Sequence, residues 1–534
     1  MARGSAEAMN SPAKSPEPFD DTSVAPGVWR FARARRVRVV IDGADYFDLV
    51  QRAMLRARQR ILLIGWDFDT RIHLTRGRRW YQRPFDRSYP SRLGSFILWL
   101  NRHRPGLEVR ILKWSYSVFS MATRGAMLFD LIRWARHRRI DFKFDTAHPV
   151  GCSHHQKIVV IDRQFAVCGG IDMTGARWDT REHLTVDPDR QLPGGGPYDP
   201  WHDVTMMMEG DIAGALEDLG RQRWITAGGK PLEPSEECEE SAWPEEMEPH
   251  FRDVEIGIAR TRAEHKDLRK VDEVEQLFCQ QIAGAKHFIY AENQYFASRA
   301  ICEAIAKRLA QPDPPEIVII HPAKADGWLE SQAMDPARAE LVKALHELDT
   351  SDKFHLYTPY TDDQPIYVHA KLLIVDDEVL RIGSANFNNR SMGLDSECDV
   401  FIDAARPGNE HAKDQIERLR HSLLAEHCGL PEDAVAGLLA AHGSMAALIA
   451  GANARGASAN DGALQRRHLR PYHPDPFNET SRDMALSETL DPEEPGDVFA
   501  IVPARNGLFR RGSLLAKARA RARARLRRNR QASK

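Results

Sequence analysis

Two stretches decide the reading: "VGCSHHQKIVVIDRQFAVCGGID" (150–172) and "YVHAKLLIVDDEVLRIGSAN" (367–386). In each, a His is followed two positions later by a Lys, then by a short apolar run and an Asp: His155, Lys157 and Asp162 in the first, His369, Lys371 and Asp376 in the second. At equal spacing beyond each Lys stand Asp172, after Gly169 and Gly170, and Asn386, after Gly383 and Ser384. Residues i and i+2 of a strand face the same side, so each His projects together with its Lys. The glycines and Ser384 allow a second turn to approach closely, bringing Asp172 or Asn386 to the same cluster.

The flanking sequence repeats in the same order. "LVQRAMLRARQRILLIGWDFD" matches "VEQLFCQQIAGAKHFIYAENQYF", "GLEVRILKW" matches "PPEIVIIHP", and "IDFKFDTAH" matches "DKFHLYTPY". Strands alternating with amphipathic helices predict an α/β protein. The expected architecture is two homologous α-β-α sandwich lobes with mixed, largely parallel sheets, related by pseudo-twofold symmetry. The expected boundaries are a disordered N-terminus (1–30), an N-terminal lobe (31–227), an acidic Pro-rich linker (228–250), a C-terminal lobe (251–430), a helical and irregular extension (431–510) and a basic tail (511–534). About such an axis, both His–Lys pairs would converge on one cavity.

The chain has 534 residues, enough for two lobes, and its net charge of −2 gives no global bias toward nucleic acid or anionic membrane. Seven scattered cysteines without a C-x-x-C pair favour free thiols. The N-terminal stretch has no apolar run, so no secretory signal is expected. No transmembrane segment is expected either: "AVAGLLAAHGSMAALIAGANA" (434–454) is interrupted by His442, Gly443 and Ser444 and reads as a packed Ala-rich helix pair. The Arg-rich tail reads as a flexible end or as an electrostatic clamp on anionic lipid or nucleic acid.

Two imidazoles and two ammonium groups suit a phosphodiester. The lysines, Ser384 and Asn386 would neutralise and hydrogen-bond the phosphate oxygens, with Asp172 in the same phosphate-binding cluster. One His would attack phosphorus, and the other would protonate the leaving alcohol and then activate water. Each needs a carboxylate behind it: Asp203 in "PWHDV" and Glu397 in "LDSECDV" are the candidates, one from each half. No metal and no cofactor is called for, because no closely spaced ligand motif is present.

The duplicated H-x-K-x₄-D motif, with "GSANFNNRS" after the second copy, resembles the phospholipase D superfamily over roughly residues 35–430. "GGIDMTGARWDTREH", "PWHDV" and "IYAENQYF" are similar to its eukaryotic-type enzymes. The resemblance implies a phosphohistidine mechanism with His155 as nucleophile and His369 as acid, while Asp162 and Asp376 secure strand ends. It implies a phospholipid substrate at a membrane surface, cleaved to phosphatidic acid and a head-group alcohol, with transphosphatidylation possible. Too little chain precedes residue 35 for a lipid-targeting module, so no calcium requirement is expected. A monomer is expected, cytoplasmic or peripheral to membranes, or exported by a signal-independent route. Membrane contact could fall to the tail, to "MLFDLIRWARHRR" (127–139) or to exposed loops, although an ordinary domain helix is the favoured reading of 127–139. Aromatic candidates for the site mouth are Trp66, Trp114, Trp178, Tyr295 and Tyr360. The alternatives are a cardiolipin synthase-like phosphatidyltransferase and, ranked lower, a nuclease or nucleic-acid-binding protein of the same fold.

Overall fold

The structure is a computed structural model that describes residues 20–75, 89–114, 125–236, 238, 240–326, 328–458, 466–474, 491–493 and 508–532. Eight strands build the N-terminal half: β1 (Arg30–Ile41), β2 (Arg60–Gly65), β3 (Glu108–Trp114), β4 (Ile140–Asp145), β5 (Ile158–Ile161), β6 (Phe165–Gly169), β7 (Trp201–His202) and β8 (Val204–Glu209). The C-terminal half follows with β9 (Phe251–Arg262), β10 (Val271–Asp272), β11 (Phe288–Asn293), β12 (Glu316–Ile320) and β13 (Phe354–Thr361). Then come β14 (Gln364–Pro365), β15 (Tyr367–Val368), β16 (Lys371–Val375), β17 (Val379–Gly383), β18 (Glu397–Asp403) and β19 (Arg467–Pro471).

Strand pairing makes one open, continuous mixed sheet. The N-terminal half runs β4-β3-β2-β5-β6-β8-β1 and the C-terminal half β9-β18-β17-β16-β11-β12-β13. The halves join where β1 pairs with β9 antiparallel. The sheet is mixed, but its parallel share is smaller than strand–helix alternation implies. Only β2-β3-β4 and β11-β12-β13 run parallel within it, because only these carry crossover helices. Tight hairpins join β5 to β6 and β16 to β17, and these cannot be anything but antiparallel.

The central strands "IVVI" and "KLLIV" are buried throughout, as strands covered on both faces must be. At each hairpin the motif aspartate has positive φ, 52° at Asp162 and 54° at Asp376, as does the following residue. Each carboxylate accepts three backbone N–H bonds: Arg58, Gln59 and Arg60 donate to Asp162 at 2.6–2.8 Å, and Lys286, His287 and Phe288 to Asp376 at 2.6–2.8 Å. Each aspartate thus ties a hairpin to the start of the neighbouring antiparallel strand, β2 or β11, at the opposite end of the hairpin's first strand from the His–Lys pair.

The acidic segment before β9 is not a solvated tether. Ala242, Trp243 and Met247 enter the N-terminal core, and Trp243 Nε1 donates to the Met247 carbonyl at 2.7 Å. Of the N-terminal stretch read as disordered, residues 1–19 lie outside the described residues. Asp21 is placed, bonded to Arg260 at 2.7 Å and to Arg262 at 2.5 Å. The basic tail forms the helix Leu514–Ala532, docked rather than free: Leu515 and Ala518 are buried, and Arg519 reaches Glu340 at 3.0 Å. Among the described residues no single helix is long and apolar enough to cross a membrane. The Ala-rich pair Glu432–His442 and Met445–Arg455 bends by 116° and sends Val435, Leu448 and Ile449 into the core.

Candidate active site

The two motif segments cross from one half to the other. His155 N donates to the Ser396 carbonyl at 2.9 Å, beside the isolated bridge His154–Ser396. In the mirror arrangement, β15 pairs with β7 and His369 N donates to the His202 carbonyl at 2.7 Å. Each histidine therefore lies next to the acid of the opposite half. His155 Nδ1 is 3.1 Å from both Glu397 oxygens, and His369 Nδ1 is 2.7 Å from Asp203 Oδ2. Alternation places Gln156 on the other side, where it receives Arg223 and donates to the Glu397 carbonyl.

The lysines converge on the same space. Lys157 Nζ donates to the His155 carbonyl at 2.7 Å and sits 3.3 Å from Asp172 Oδ2. Lys371 Nζ donates to Gln294 Oε1 at 2.9 Å and to the His369 carbonyl. Burial holds both imidazoles well below the usual histidine range, and each is depressed further by the lysine of the other half as well as its own. Burial also brings Lys371 down to about 7 and raises Asp203 to about 6. Glu397, wholly buried, is raised well above the carboxylate range despite Lys157 and the bonds from Ser384 and Ser391. These shifts describe cations and desolvated imidazoles awaiting an anion.

Asn386 is the polar group left over: its buried Oδ1 has no hydrogen-bond partner. Two residues read as phosphate ligands have other tasks. Ser384 is fully buried, and its Oγ donates to Glu397 Oε2 at 2.5 Å while accepting from Cys398 N, so it braces the acid behind His155. Asp172 accepts Trp66 N at 2.9 Å and pairs with Lys157. A carboxylate there repels phosphate and orients the lysine instead.

The aromatic surroundings differ between the two histidines. Trp66 meets His155 edge-on at 6.4 Å and stacks on Trp114 at 5.8 Å. Beside His369, Trp201 lies 5.1 Å away and stacks on Tyr367 at 4.6 Å, with the Arg177 guanidinium 4.3 Å above the Trp201 ring. Tyr295 touches Gln294, the partner of Lys371. Trp178 is a core residue, and Tyr360 stacks with His468.

Sequence reasoning missed a buried polar cluster directly behind Asp203. His202 Nδ1 lies 3.1 Å from Asp42 Oδ1 and 3.0 Å from Glu426 Oε1, and its Nε2 is 2.8 Å from Glu292. His183 Nε2 lies 3.1 Å from Glu426 and 3.4 Å from Asp42, and its Nδ1 is 3.1 Å from Asp179. His427 completes the Glu292 side at 3.0 Å. Carboxylates on both ring nitrogens counter the effect of burial, pushing His183 up to about 9 and His202 well above the usual histidine range. Asp42, His183, His202 and Glu426 offer two nitrogens and two oxygens within 4.8 Å of one another, a donor set that could hold a divalent cation. Asp42 Oδ2 and His202 Nδ1 lack a hydrogen-bond partner, which fits that use. The four come from separate segments, so no ligand spacing in the sequence announces them. His183, His202 and Glu292 do lie within "TREH", "PWHDV" and "ENQYF".

A family model described as "Phospholipase D" matches residues 53–304, and one described as "Cardiolipin synthase, PLD-like domain" matches 278–420. Phospholipase D alpha 1 of Nicotiana tabacum is 25% identical over 535 residues, spanning 73% of this chain and 64% of that protein. Phospholipase D alpha 1 of Zea mays is 26% identical over 403 residues, spanning 53% of this chain and 49% of that protein. The chain thus spans between about half and two thirds of the length of the curated relatives it matches. Among solved structures, the phosphatidylserine synthase of Haemophilus influenzae Rd KW20 aligns with a TM-score of 0.44 at 12% identity, over 72% of this chain and 87% of that one.

Proposed function

The chain belongs to the phospholipase D superfamily, and we propose that it hydrolyses the distal phosphodiester of glycerophospholipids, releasing a head-group alcohol and phosphatidic acid. The observation that carries this reading is the exchange of acids across the seam: two histidines, each backed by the other half's carboxylate, with both lysines between them.

Both Nδ1 atoms are occupied, so Nε2 is the reacting atom of each ring. The Ser384 carbonyl, 3.0 Å from His155 Nδ1, can only accept, so that nitrogen carries the proton and Nε2 presents a lone pair. His369, whose Nδ1 faces Asp203, presents Nε2 in the same way, and we take His155 as the nucleophile, as the resemblance to the superfamily implies. The Nε2 of His155 bonds to phosphorus as the P–O bond to the head group breaks, and His369 protonates the departing oxygen; the bound phosphate's negative charge offsets the two lysines that depress the free ring, so that His369 takes up its proton as substrate binds. Asp203, a carboxylate near neutral pH, stabilises that imidazolium. A water then gives its proton to His369 Nε2, and the hydroxide oxygen displaces His155 from phosphorus. Lys157, Lys371 and the Asn386 amide hold the phosphoryl oxygens through both steps.

An alcohol can replace water in the second half-reaction, which gives transphosphatidylation by the same groups. The test is mass spectrometry of the products from mixed phospholipid vesicles, with and without a primary alcohol. Phosphatidic acid alone, joined by phosphatidyl-alcohol when alcohol is supplied, supports the reading. Cardiolipin from phosphatidylglycerol without added alcohol would favour the synthase. No lipid turnover, together with cleavage of nucleic acid, would refute both.

A further inference from the structure

The helix Gly125–Trp134 is turned inside out. In a globular protein the apolar stripe of a helix faces the core. Here Met127, Asp130 and Trp134 face inward, while Leu128, Phe129 and Ile132 are 52%, 70% and 48% exposed. The inward acid is held by Arg92 at 2.6 Å, and Trp134 Nε1 donates to the Gly94 carbonyl at 3.2 Å. The outward orientation is therefore set by specific bonds.

The helix is the crossover from β3 to β4, so its first turn lies at the edge of the sheet where the parallel strands end. At that edge β2 leads into Trp66 and β3 ends at Trp114, the stacked pair beside His155. Val150, in the loop that leads from β4 to His155, is 91% exposed. By connectivity, the first turn of the helix, Val150 and the segment leading into His155 thus lie toward the same edge of the sheet. The charge beside the helix has one sign. Between 125 and 139 the sole acid is the buried Asp130, whereas Arg133, Arg136 and Arg138 are exposed. An apolar ridge bordered by guanidinium groups complements an anionic bilayer surface, with side chains entering the acyl boundary and arginines meeting lipid phosphates.

We propose that Leu128, Phe129 and Ile132, with Val150 and the arginines Arg133 and Arg136, seat the site entrance on an anionic phospholipid bilayer. The assignment rests on the phospholipid reading above and adds the surface by which the bilayer is met. The seat acts before chemistry: it brings lipid to the entrance and leaves the reacting groups untouched.

The test compares the full chain with the variant Leu128→Ser/Phe129→Asp on two substrates. These are vesicles of phosphatidylcholine with phosphatidylglycerol, and short-chain phosphatidylcholine dispersed below its micelle concentration. Vesicle co-sedimentation and vesicle turnover should each fall about tenfold or more, with dispersed-substrate turnover within about twofold of wild type. A second variant, Arg133→Glu/Arg136→Glu, changes exposed groups only and keeps the test open should the first fail to fold. It should abolish the preference for phosphatidylglycerol-containing vesicles over pure phosphatidylcholine. Unchanged vesicle binding in a folded variant overturns the proposal. So does equal loss on both substrates, which would make the helix a shaper of the site, or a wild-type dimer that Phe129→Asp dissolves, which would make the ridge a protein contact. If wild type cleaves no lipid but its vesicle binding still depends on Phe129, the function falls and the seat stands.

Discussion

The two halves place a His, a Lys and a borrowed acid in matching positions, yet charge them differently. In the first, Lys157 faces the carboxylate of Asp172, and His155 shares its Nδ1 proton between a carbonyl and a carboxyl group raised far above its usual range. In the second, Lys371 faces the neutral amide of Gln294, and His369 rests on Asp203, which titrates near 6. Duplication supplied equal geometry. Divergence of the partners left His155 beside an acid held in its neutral form and His369 beside one that ionises near neutral pH.

The strongest way to break the comparison is to remove either ring. His155→Ala and His369→Ala should each lower turnover by roughly four orders of magnitude or more, with circular dichroism unchanged. They should differ in one readout. With a substrate bearing an acidic leaving alcohol, His369→Ala should still accumulate an acid-labile phosphoenzyme and His155→Ala should not. Phosphoenzyme in the latter would reverse the assignment.

Next come the borrowed acids. Asp203→Asn keeps the shape but cannot stabilise an imidazolium, so kcat should fall by roughly a hundredfold or more. Glu397→Gln should cost less, since Glu397 already tends toward its neutral form. Steady-state kinetics of the two variants decides the order, and a larger loss at Glu397 would contradict it.

A smaller effect sharpens the difference between the lysines. Lys371 is charged only below about 7, so kcat/KM should fall as pH rises through that value and the phosphate loses a cation. Lys371→Arg, which keeps its charge, should move this alkaline limb upward by more than about one pH unit. An unmoved limb would assign the titration elsewhere.

The smallest effect on chemistry belongs to the hairpin aspartates. Asp162→Ala leaves three backbone N–H groups without an acceptor and should cost about 2–4 kcal/mol of stability, read by denaturant unfolding. Turnover per folded molecule should stay near wild type. A large loss of turnover with intact stability would return Asp162 to the site.

Much of this was legible before any coordinates. The His–Lys spacing and the two acids needed only strand alternation and the chemical demand for a partner at each imidazole. The readings that changed, Ser384 and Asp172, changed because a residue type says which bonds it can make and not which neighbour will claim it. Ser384 was claimed by Glu397, and Asp172 by Lys157 and the backbone at Trp66. The cluster around His202 stayed hidden because Asp42, His183, Glu292 and the adjacent pair Glu426–His427 lie on separate stretches of the chain and meet only once the halves are packed.

Local order along the chain determined the duplicated α/β elements, the strand faces and the chemical inventory, since these follow from backbone periodicity and side-chain type. The packed molecule alone decided which acid serves which histidine, which lysine meets a charge, and that the crossover helix Gly125–Trp134 turns its apolar side outward. Pairing across the two halves, at β7–β15 and at His154–Ser396, joins groups with no sequence relation, and burial there sets their protonation.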